Sequence, residues 1–429
     1  MRRLIALLAR FASALMLRRL EVTDAERLPR DRPVLLVANH FNGFLDPVVV
    51  AASLGRLPRF IAKDTLTKVP LVGLLLRALG VVFVRRRADG PDAPGTTNTD
   101  AFAECHAALA ERDMVAIFPE GTTHDRPQLD PIKTGAARIA LGARAAGATD
   151  LVVLPVGITF PDKIDLRPSA LVQLCEPIDL DRLVPAGVGA DDHAAVTDLT
   201  AAIDAGLRTV SPDFPDTETA LSLTQAAHIA LSSEVQPAPP LAAQHRLAHR
   251  LARADPDAVD AVRRDVGRYS TLLAGLRLTD DDVIRPTSPR RLLRSAIGIA
   301  VLVILLGSVV AATALVNIWP ALAVAAVSLF VRTPVTKGTV RFLVGFVACP
   351  TAGIIGANAG TDGFLPVTGL VLVMALGALA AIWLVERALA LGLMLLRWRA
   401  QLERAGTVGL AEELRDVVVC TVRRAVPEG

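Results

Sequence analysis

The sequence predicts an α/β domain followed by a polar helical segment and C-terminal transmembrane helices. Three observations support this fold class. Residues 30–215 alternate short apolar runs with helical patterns, which is typical of an α/β unit. Residues 216–290 are polar and helical in pattern, and residues 291–399 contain uncharged runs long enough to cross a bilayer. The remaining residues, 400–429, are predicted to form a cytoplasmic tail.

Short apolar runs predict the strands of the α/β domain. They are Pro33–Ala38, Arg59–Ala62, Gly80–Val84, Met114–Phe118 and Leu151–Ile158. Helical patterns fall near residues 46–55, 70–79, 99–111 and 133–147. A stretch rich in Pro, Gly and Thr at residues 90–98 predicts an exposed loop, and the proline-rich residues 236–240 predict a linker in the polar segment.

The first 29 residues predict a helix that lies on a membrane surface. Residues 4–17 are apolar apart from Arg10 and Ser13, and arginines stand at both ends of the stretch. Residues 1–90 hold 16 Lys and Arg against 7 Asp and Glu, a balance suited to an anionic leaflet. A signal peptide fits less well because Arg10 splits the apolar core. A helix packed on the domain is the remaining alternative.

The uncharged C-terminal runs predict the membrane-spanning segments. Residues 342–361 and 364–385 each have the length of one crossing, about 20 residues. Residues 295–331 are too long for one, so we predict a span at about 296–316, a break at Asn317–Pro320 and a re-entrant or short segment at 320–331. Basic clusters flanking these runs place the α/β domain on the cytoplasmic side of a membrane, which we expect to be a bacterial inner membrane. An odd number of crossings is the alternative and would put the basic residues between 332 and 341 outside.

Composition excludes several functional classes. A net charge of only +3 argues against a nucleic-acid partner. Four cysteines lie far apart with no C-x-x-C pair, which argues against a disulfide framework or a zinc knuckle. The sequence contains no G-x-S-x-G, no H-E-x-x-H and no Gly-Lys dipeptide for a P-loop. No predicted span contains a charged residue, which argues against a transporter.

The segment after the first predicted strand could perform acid–base chemistry. It reads Asn39-His40-Phe41-Asn42-Gly43-Phe44-Leu45-Asp46-Pro47. A carboxylate that accepts a hydrogen bond from one imidazole nitrogen fixes the tautomer and leaves the other nitrogen free to take a proton. His40 and Asp46 could form such a pair. Alternatively, Asp46 caps the following helix and His40 is an ordinary loop residue.

Three further segments carry candidate polar groups. Phe118-Pro119-Glu120-Gly121-Thr122-Thr123 follows a strand and predicts a turn with exposed main-chain N–H groups. Residues 80–87 run from a strand into Arg85, Arg86 and Arg87, which could bind phosphate or form a solvated edge. Lys133-Thr134-Gly135 precedes a predicted helix and could add a cation to an anion site or simply begin the helix.

Taken in chain order, the four segments resemble the glycerol-phosphate acyltransferase (PlsC-like) superfamily. A fifth segment, residues 152–157, matches the apolar strand with a proline that closes the family pattern. The resemblance covers about residues 30–210 and implies a glycerolipid acyltransferase domain with a mixed sheet flanked by helices. Five residues separate His40 from Asp46, as in a branch that includes the fungal glycerol-3-phosphate/dihydroxyacetone-phosphate acyltransferases. That branch often has a second glycine where this chain has Thr122.

The resemblance implies roles for individual residues. His40 would be the general base for the acceptor hydroxyl and Asp46 its orienting carboxylate. The remaining implied site residues bind the acceptor. Arg86 and Lys133 would hold the acceptor phosphate. Glu120 and Gly121 would shape the acceptor pocket together with Thr122, and Glu120 would bond the free hydroxyl of the acceptor. His124 lies outside the general motif and is expected to be structural. No metal or organic cofactor is implied.

The implied reaction uses an acyl thioester donor, acyl-CoA or acyl carrier protein. The acceptor would be glycerol 3-phosphate or dihydroxyacetone phosphate, in phospholipid biosynthesis, with membrane lipids as partners. A lysophosphatidate or other lysophospholipid acyltransferase is the alternative that shares every catalytic residue. A membrane scaffold with a degenerate acyltransferase domain is the non-enzymatic alternative.

Overall fold

The computed structural model describes most of the chain. The described residues are 2–64, 67, 76–77, 80–84, 98–124, 126–162, 165, 167–185, 187–331, 340–341, 344–345, 348, 351, 364–403 and 405–427. The chain divides into two compact units, Met1–Asp213 and Phe214–Gly429. This division lies within two residues of the predicted boundary at 215.

The first unit is built on a mixed sheet of eight described strands. They are β1 (Arg19–Thr23), β2 (Val34–Ala38), β3 (Arg59–Lys63), β4 (Val82–Val84), β5 (Met114–Ile117), β6 (Val152–Thr159), β7 (Ser169–Leu174) and β8 (Ile178–Asp179). Their order is β1-β7-β6-β2-β5-β3-β4, with β8 beside β6. Strands β6, β2, β5, β3 and β4 run parallel, and β7 joins β6 antiparallel. The five predicted strands are confirmed.

Helices cover both faces of this sheet. They are α1 (Arg2–Met16), α2 (Leu45–Ser53), α3 (Asn98–Ala110), α4 (Gly135–Ala145), α5 (Leu180–Leu183) and α6 (His193–Val210). Strand β2 is fully buried along its length, because one core cluster packs against it from α3, α4 and α6 and the other from α2. Its continuous Val34-Leu35-Leu36-Val37-Ala38 run is the expected sequence of a strand covered on both faces. Most of the predicted helix at 70–79 and the predicted loop at 90–98 lie outside the described residues.

The prediction that residues 1–29 form one interfacial helix outside the domain is wrong for the residues after Met16. Helix α1 stops at Met16, and Arg19–Thr23 form β1, which pairs in parallel with β7. The domain therefore begins at residue 19 and not at residue 30. The helix itself is amphipathic: it packs on α2 while Leu7 and Leu8 remain exposed. Two exposed leucines on a helix that already has a packed face are suited to a lipid surface.

The second unit consists of helices. They are α7 (Thr217–Leu231), α8 (Leu241–Ala252), α9 (Pro256–Leu276), α10 (Asp280–Ile284), α11 (Pro289–Phe330), α12 (Phe364–Glu403) and α13 (Ala405–Ala425). The tail predicted at 400–429 contains the helix α13, whose apolar face packs on α9 and α7, and its cytoplasmic location stays a prediction. Val418 and Val422 are buried in the same cluster as Tyr269 and Leu273, so the end of the chain belongs to the core of this unit. The proline-rich linker at 236–240 is confirmed as the loop between α7 and α8.

The predicted break at Asn317–Pro320 is wrong, because α11 continues through Pro320 as one helix of 42 residues. Proline removes the bond to the carbonyl of residue 316 and its ring crowds that carbonyl, but membrane helices tolerate an interior proline. Pro289–Ala314 and Val373–Glu403 are long and apolar enough to span a bilayer, and almost none of either is buried. These features indicate a membrane protein. The second helix continues past the predicted end at 385, and most of the predicted span at 342–361 lies outside the described residues.

A glycine sets the approach of the two long helices. A Cβ placed on Gly377 of α12 would overlap Thr313 of α11, which is buried and donates its hydroxyl to the carbonyl of Val309. We expect Gly377→Leu to weaken the pairing by about 1–3 kcal/mol, because the leucine would occupy space that the buried Thr313 side chain fills. The matched control is Gly392→Leu on the same helix, where a Cβ meets nothing within 4 Å. Thermal unfolding in detergent should show a lower midpoint for Gly377→Leu alone; equal midpoints would contradict the prediction.

A buried histidine makes the stability of the second unit depend on pH. Burial, reinforced by the neighbouring His249 and Arg246, lowers the pKa of His245 to about 3 from 6.5. Between these values the unfolded chain binds a proton that the folded chain does not, so stability falls as the pH falls. We expect a loss of about 1.4 kcal/mol for each pH unit below 6.5. Unfolding measured from pH 7 to pH 5 should show this slope, and His245→Leu should remove it while His228→Leu retains it.

Candidate active site

The candidate site lies where β2 and β5 end. These neighbouring strands run in parallel, so the segments that follow them, from Asn39 and from Phe118, meet at one edge of the sheet. The side chain of Asn39 holds the first segment in place. It is fully buried, donates from Nδ2 to the carbonyl of Ile158 at 2.9 Å and accepts from the N–H of Ile158 at 2.6 Å. The end of β2 is thereby fixed to β6.

The predicted pair of His40 and Asp46 is present. His40 Nδ1 lies 2.9 Å from Oδ2 of Asp46, and the same oxygen accepts the N–H of Asn42 at 2.9 Å. The Asp46 side chain is fully buried in the first turn of α2, whereas the His40 side chain retains 17% of its exposure. An ionised carboxylate accepts only, so this contact places the proton of neutral His40 on Nδ1 and leaves the Nε2 lone pair free. That is the arrangement of a general base.

The ring of His40 is held from one side. It stacks on Phe118, with centroids 4.2 Å apart and planes inclined by 18°. The sequence motif includes Phe118, but its contact with the imidazole becomes visible only when β2 and β5 are neighbours. Together, the stacking and the bond to Asp46 restrict both the position and the rotation of the imidazole.

Glu120 connects the two segments and is buried. Its Oε1 accepts the main-chain N–H of His40 at 2.7 Å. Its Oε2 accepts the main-chain N–H of Asp130 at 3.1 Å and lies 2.7 Å from Nε2 of His124. The predicted contact of Glu120 with the acceptor stays a prediction, and the described contacts of both oxygens are with the protein itself.

The structure brings Lys133 and Gly121 together. Gly121 has a φ of 68°, which favours glycine, and a Cβ there would lie 2.5 Å from Nζ of Lys133. The N–H of Lys133 donates to the carbonyl of Pro119 at 3.0 Å, so the main chain of Lys133 is bonded to the turn that contains Gly121. Thr122 is exposed on the same turn. Arg86 lies outside the described residues.

Two contributions to this site were missed by sequence reasoning. His124 was expected to be structural, and its contact with Glu120 was not foreseen. Ser211 follows α6 and donates from Oγ to Oδ1 of Asn39 at 3.2 Å. A loop histidine four positions after a glutamate has no periodic pattern to reveal the contact. The serine lies 172 residues from its partner, beyond the reach of any local signal.

One group among the described residues could hold a metal ion. Glu120, His124 and Asp130 each offer one ligand atom, and these atoms lie within 4.8 Å of one another. The 2.7 Å separation of Glu120 Oε2 and His124 Nε2 is, however, that of a hydrogen bond. That the reaction needs no metal stays a prediction, which a rate measurement in EDTA can test.

Comparison with protein families places this site in a known context. The family model for Acyltransferase matches residues 19–159, a segment that contains both His40 and Glu120. This segment therefore matches an acyltransferase domain. The resemblance carried by the motifs is confirmed, and the match begins at β1, in agreement with the corrected domain boundary.

Curated relatives match the acyltransferase domain. Glycerol-3-phosphate O-acyltransferase 2 of Saccharomyces cerevisiae is 37% identical over 131 residues, which are 30% of this chain and 18% of that protein. Lysophospholipid acyltransferase LPEAT1 of Arabidopsis thaliana is 37% identical over 133 residues, 30% of each chain. The 1-acyl-sn-glycerol-3-phosphate acyltransferase of Borreliella burgdorferi is 29% identical over 137 residues, 32% of this chain and 49% of that protein. The matches thus span less than half the length of these relatives.

A solved structure of lower sequence identity also matches part of this chain. The crystal structure of the 1-acyl-sn-glycerophosphate acyltransferase PlsC from Thermotoga maritima is 22% identical and covers 48% of this chain and 79% of its own. The TM-score is 0.36.

Proposed function

We propose that this protein is a membrane-bound O-acyltransferase of phospholipid biosynthesis. It would transfer a fatty acyl group from acyl-CoA or acyl carrier protein to a hydroxyl of glycerol 3-phosphate or dihydroxyacetone phosphate. The observation that carries the proposal is the contact between His40 and the buried Asp46 within the acyltransferase domain. A degenerate scaffold would have no need to retain this pair.

The reaction follows from the state of the imidazole. His40 Nε2 takes the proton of the acceptor hydroxyl while the oxygen attacks the thioester carbonyl carbon. A C–O bond forms, the C–S bond breaks, and the imidazolium returns its proton to the leaving thiolate. Asp46 stabilises the imidazolium between these steps. Positioned acid–base catalysis of this kind contributes about 10²- to 10⁴-fold to the rate.

Two cationic side chains would bind the acceptor phosphate. Lys133 Nζ lies beside Gly121, within the same turn as Glu120. Arg86 is the motif arginine of the family pattern and would supply a guanidinium suited to bidentate phosphate binding. Gly121, Glu120 and Thr122 would shape the acceptor pocket.

The membrane elements suit a lipid product. We infer that the exposed leucines of α1 and the basic N-terminal segment rest on the cytoplasmic leaflet of a bacterial inner membrane. Helices α11 and α12 would anchor the chain there. Acyl chains could then enter and the acylated product leave without crossing water.

Two observations favour glycerol 3-phosphate over an acylated acceptor. The five-residue spacing between His40 and Asp46 and the yeast relative favour glycerol 3-phosphate. The relatives named for lysophospholipid and 1-acylglycerol-3-phosphate acylation keep those acceptors as the alternative.

Product formation with a panel of acceptors tests the proposal. Membranes containing the full chain are supplied with acyl-CoA and, separately, with acyl carrier protein thioesters. The acceptors are glycerol 3-phosphate, dihydroxyacetone phosphate and lysophosphatidate, each run against His40→Ala. We expect a His40-dependent product from the first two. Product from lysophosphatidate alone would transfer the assignment to the alternative, and no product from any acceptor would favour the scaffold.

The reaction is expected to need no metal. Neither the pair of His40 and Asp46 nor the attack on a thioester calls for a Lewis acid. We expect wild-type rates to change by less than about 2-fold in EDTA, well below the roughly 10²-fold contribution of an acid–base group. Loss of the rate in EDTA, with recovery on added Zn²⁺ or Mg²⁺, would contradict this and direct attention to Glu120, His124 and Asp130.

A further inference from the structure

His124 contacts two residues that adjoin the main chain of His40, Glu120 and Phe41. Its Nε2 lies 2.7 Å from Oε2 of Glu120, whose other oxygen accepts the N–H of His40. Its ring packs against Phe41, the residue after His40, with centroids 4.9 Å apart. The side chain is only 11% exposed. A path of two hydrogen bonds therefore links the His124 ring to the His40 main chain.

The surroundings of His124 place a proton on the bonded nitrogen. Its Nε2 faces two carboxylates, Glu120 at 2.7 Å and Asp130 at 3.5 Å. Because both are acceptors, the proton of neutral His124 is favoured on Nε2, where it donates to Glu120. Asp130 is itself paired with Arg126 and supplies its own N–H to Glu120.

We propose that His124 is a positioning residue for His40, acting through Glu120; this inference rests on the proposed acyl transfer. The Glu120 side chain is fully buried, so each lost donor leaves a costly unsatisfied carboxylate. Without His124, Oε2 keeps only the longer bond from the N–H of Asp130, at 3.1 Å, so the carboxylate is held less tightly. The bond from Oε1 to the His40 N–H then loosens, and the imidazole loses its alignment with the acceptor.

The proposal separates two possible roles of Glu120. If Glu120 held the acceptor, loss of His124 would raise the acceptor KM. If Glu120 fixes the His40 main chain, loss of His124 lowers kcat and leaves the acceptor KM nearly unchanged. Misplacement of a catalytic group by about 1 Å reduces a rate by about 10²-fold, which sets the scale of the second outcome.

Kinetics of three variants of the full chain provide the first test. We expect His124→Ala to lower kcat by about 10- to 100-fold with the acceptor KM within about 2-fold of wild type. His124→Gln, whose amide can donate to Glu120, should recover most of this loss. His106→Ala, at a partly buried histidine on α3 whose ring packs on Gly142, is the matched control and should resemble wild type. A raised KM with unchanged kcat, or equal effects of the alanine and glutamine variants, would overturn the proposal.

Hydrogen exchange followed by mass spectrometry provides a test that needs no activity. The His40 N–H is bonded to Glu120, so peptides that contain residue 40 report the bond directly. We expect His124→Ala to raise exchange at this amide by about 10-fold or more, with His124→Gln near wild type. Unchanged peptides from β5 and β6 would show that the sheet is intact.

The two tests fail in distinguishable ways. A wild-type chain that acylates no acceptor contradicts the proposed function, while exchange at His40 still decides whether His124 holds it. Equal protection of His40 in all variants contradicts the positioning role and leaves the proposed function standing.

Discussion

Replacement of Asp46 with asparagine is expected to lower kcat for acyl transfer by about 10²- to 10⁴-fold while the domain stays folded. Oδ2 of Asp46 accepts from both His40 Nδ1 and the N–H of Asn42. An amide can satisfy both donors only through its oxygen, and it then carries no charge to stabilise the imidazolium. If its NH₂ group faces Nδ1 instead, the proton of His40 moves to Nε2 and the base is lost.

The measurement is kcat and acceptor KM for Asp46→Asn, His40→Ala and the double variant. Because the two residues act as a unit, the double variant should be no more than a few-fold slower than the slower single variant. Asp191→Asn, at an exposed position of the first unit, is the matched control. Additive losses in the double variant would show that Asp46 acts independently of His40.

Three buried strands of the sheet were predictable from their sequence, although β7, which is also buried, was not predicted. The runs that became β2, β5 and β6 are continuous and apolar, a pattern that distinguishes them from the surrounding loops. Strand β1 was missed because Arg19–Thr23 alternates charged and apolar residues and is only partly buried, so it reads as the end of the helix before it. Burial of an edge strand depends on its neighbour β7, which sequence does not place.

The candidate site was predictable as a set of residues but not as a geometry. The motifs located His40, Asp46 and Glu120 because each follows a strand. That Glu120 bonds the His40 main chain could not be read from the sequence, since the contact joins residues 80 positions apart and needs β2 beside β5. The break assigned at Pro320 failed for another reason, because one missing hydrogen bond does not outweigh the bonds on either side of it.

Substitution of Gly157 is expected to have the largest effect on stability. This glycine lies on β6 opposite Gln173, and a Cβ there would overlap the carbonyl oxygen of Val210 and lie 2.9 Å from the N of Ser211. Both atoms belong to the main chain at the end of α6, so no side chain can rotate away. Overpacking costs about 1–3 kcal/mol, and a rigid backbone contact places Gly157→Ala at the upper end. Gly157→Val should prevent accumulation of folded protein.

We expect the same substitution also to lower the activity of the enzyme. Ser211 donates to Oδ1 of Asn39, the residue before His40, so displacing the end of α6 loosens the anchor of the catalytic segment. We expect Gly157→Ala to lower the melting temperature by about 2–4 °C for each kcal/mol and to lower kcat as well. Ser211→Ala, which removes the bond without the overlap, should lower kcat with a smaller change in melting temperature. Gly267→Ala on α9, where a Cβ meets nothing within 4 Å, is the matched control. A Gly157→Ala protein as stable as this control would contradict the prediction, because it would show that α6 can move away from β6 at little cost.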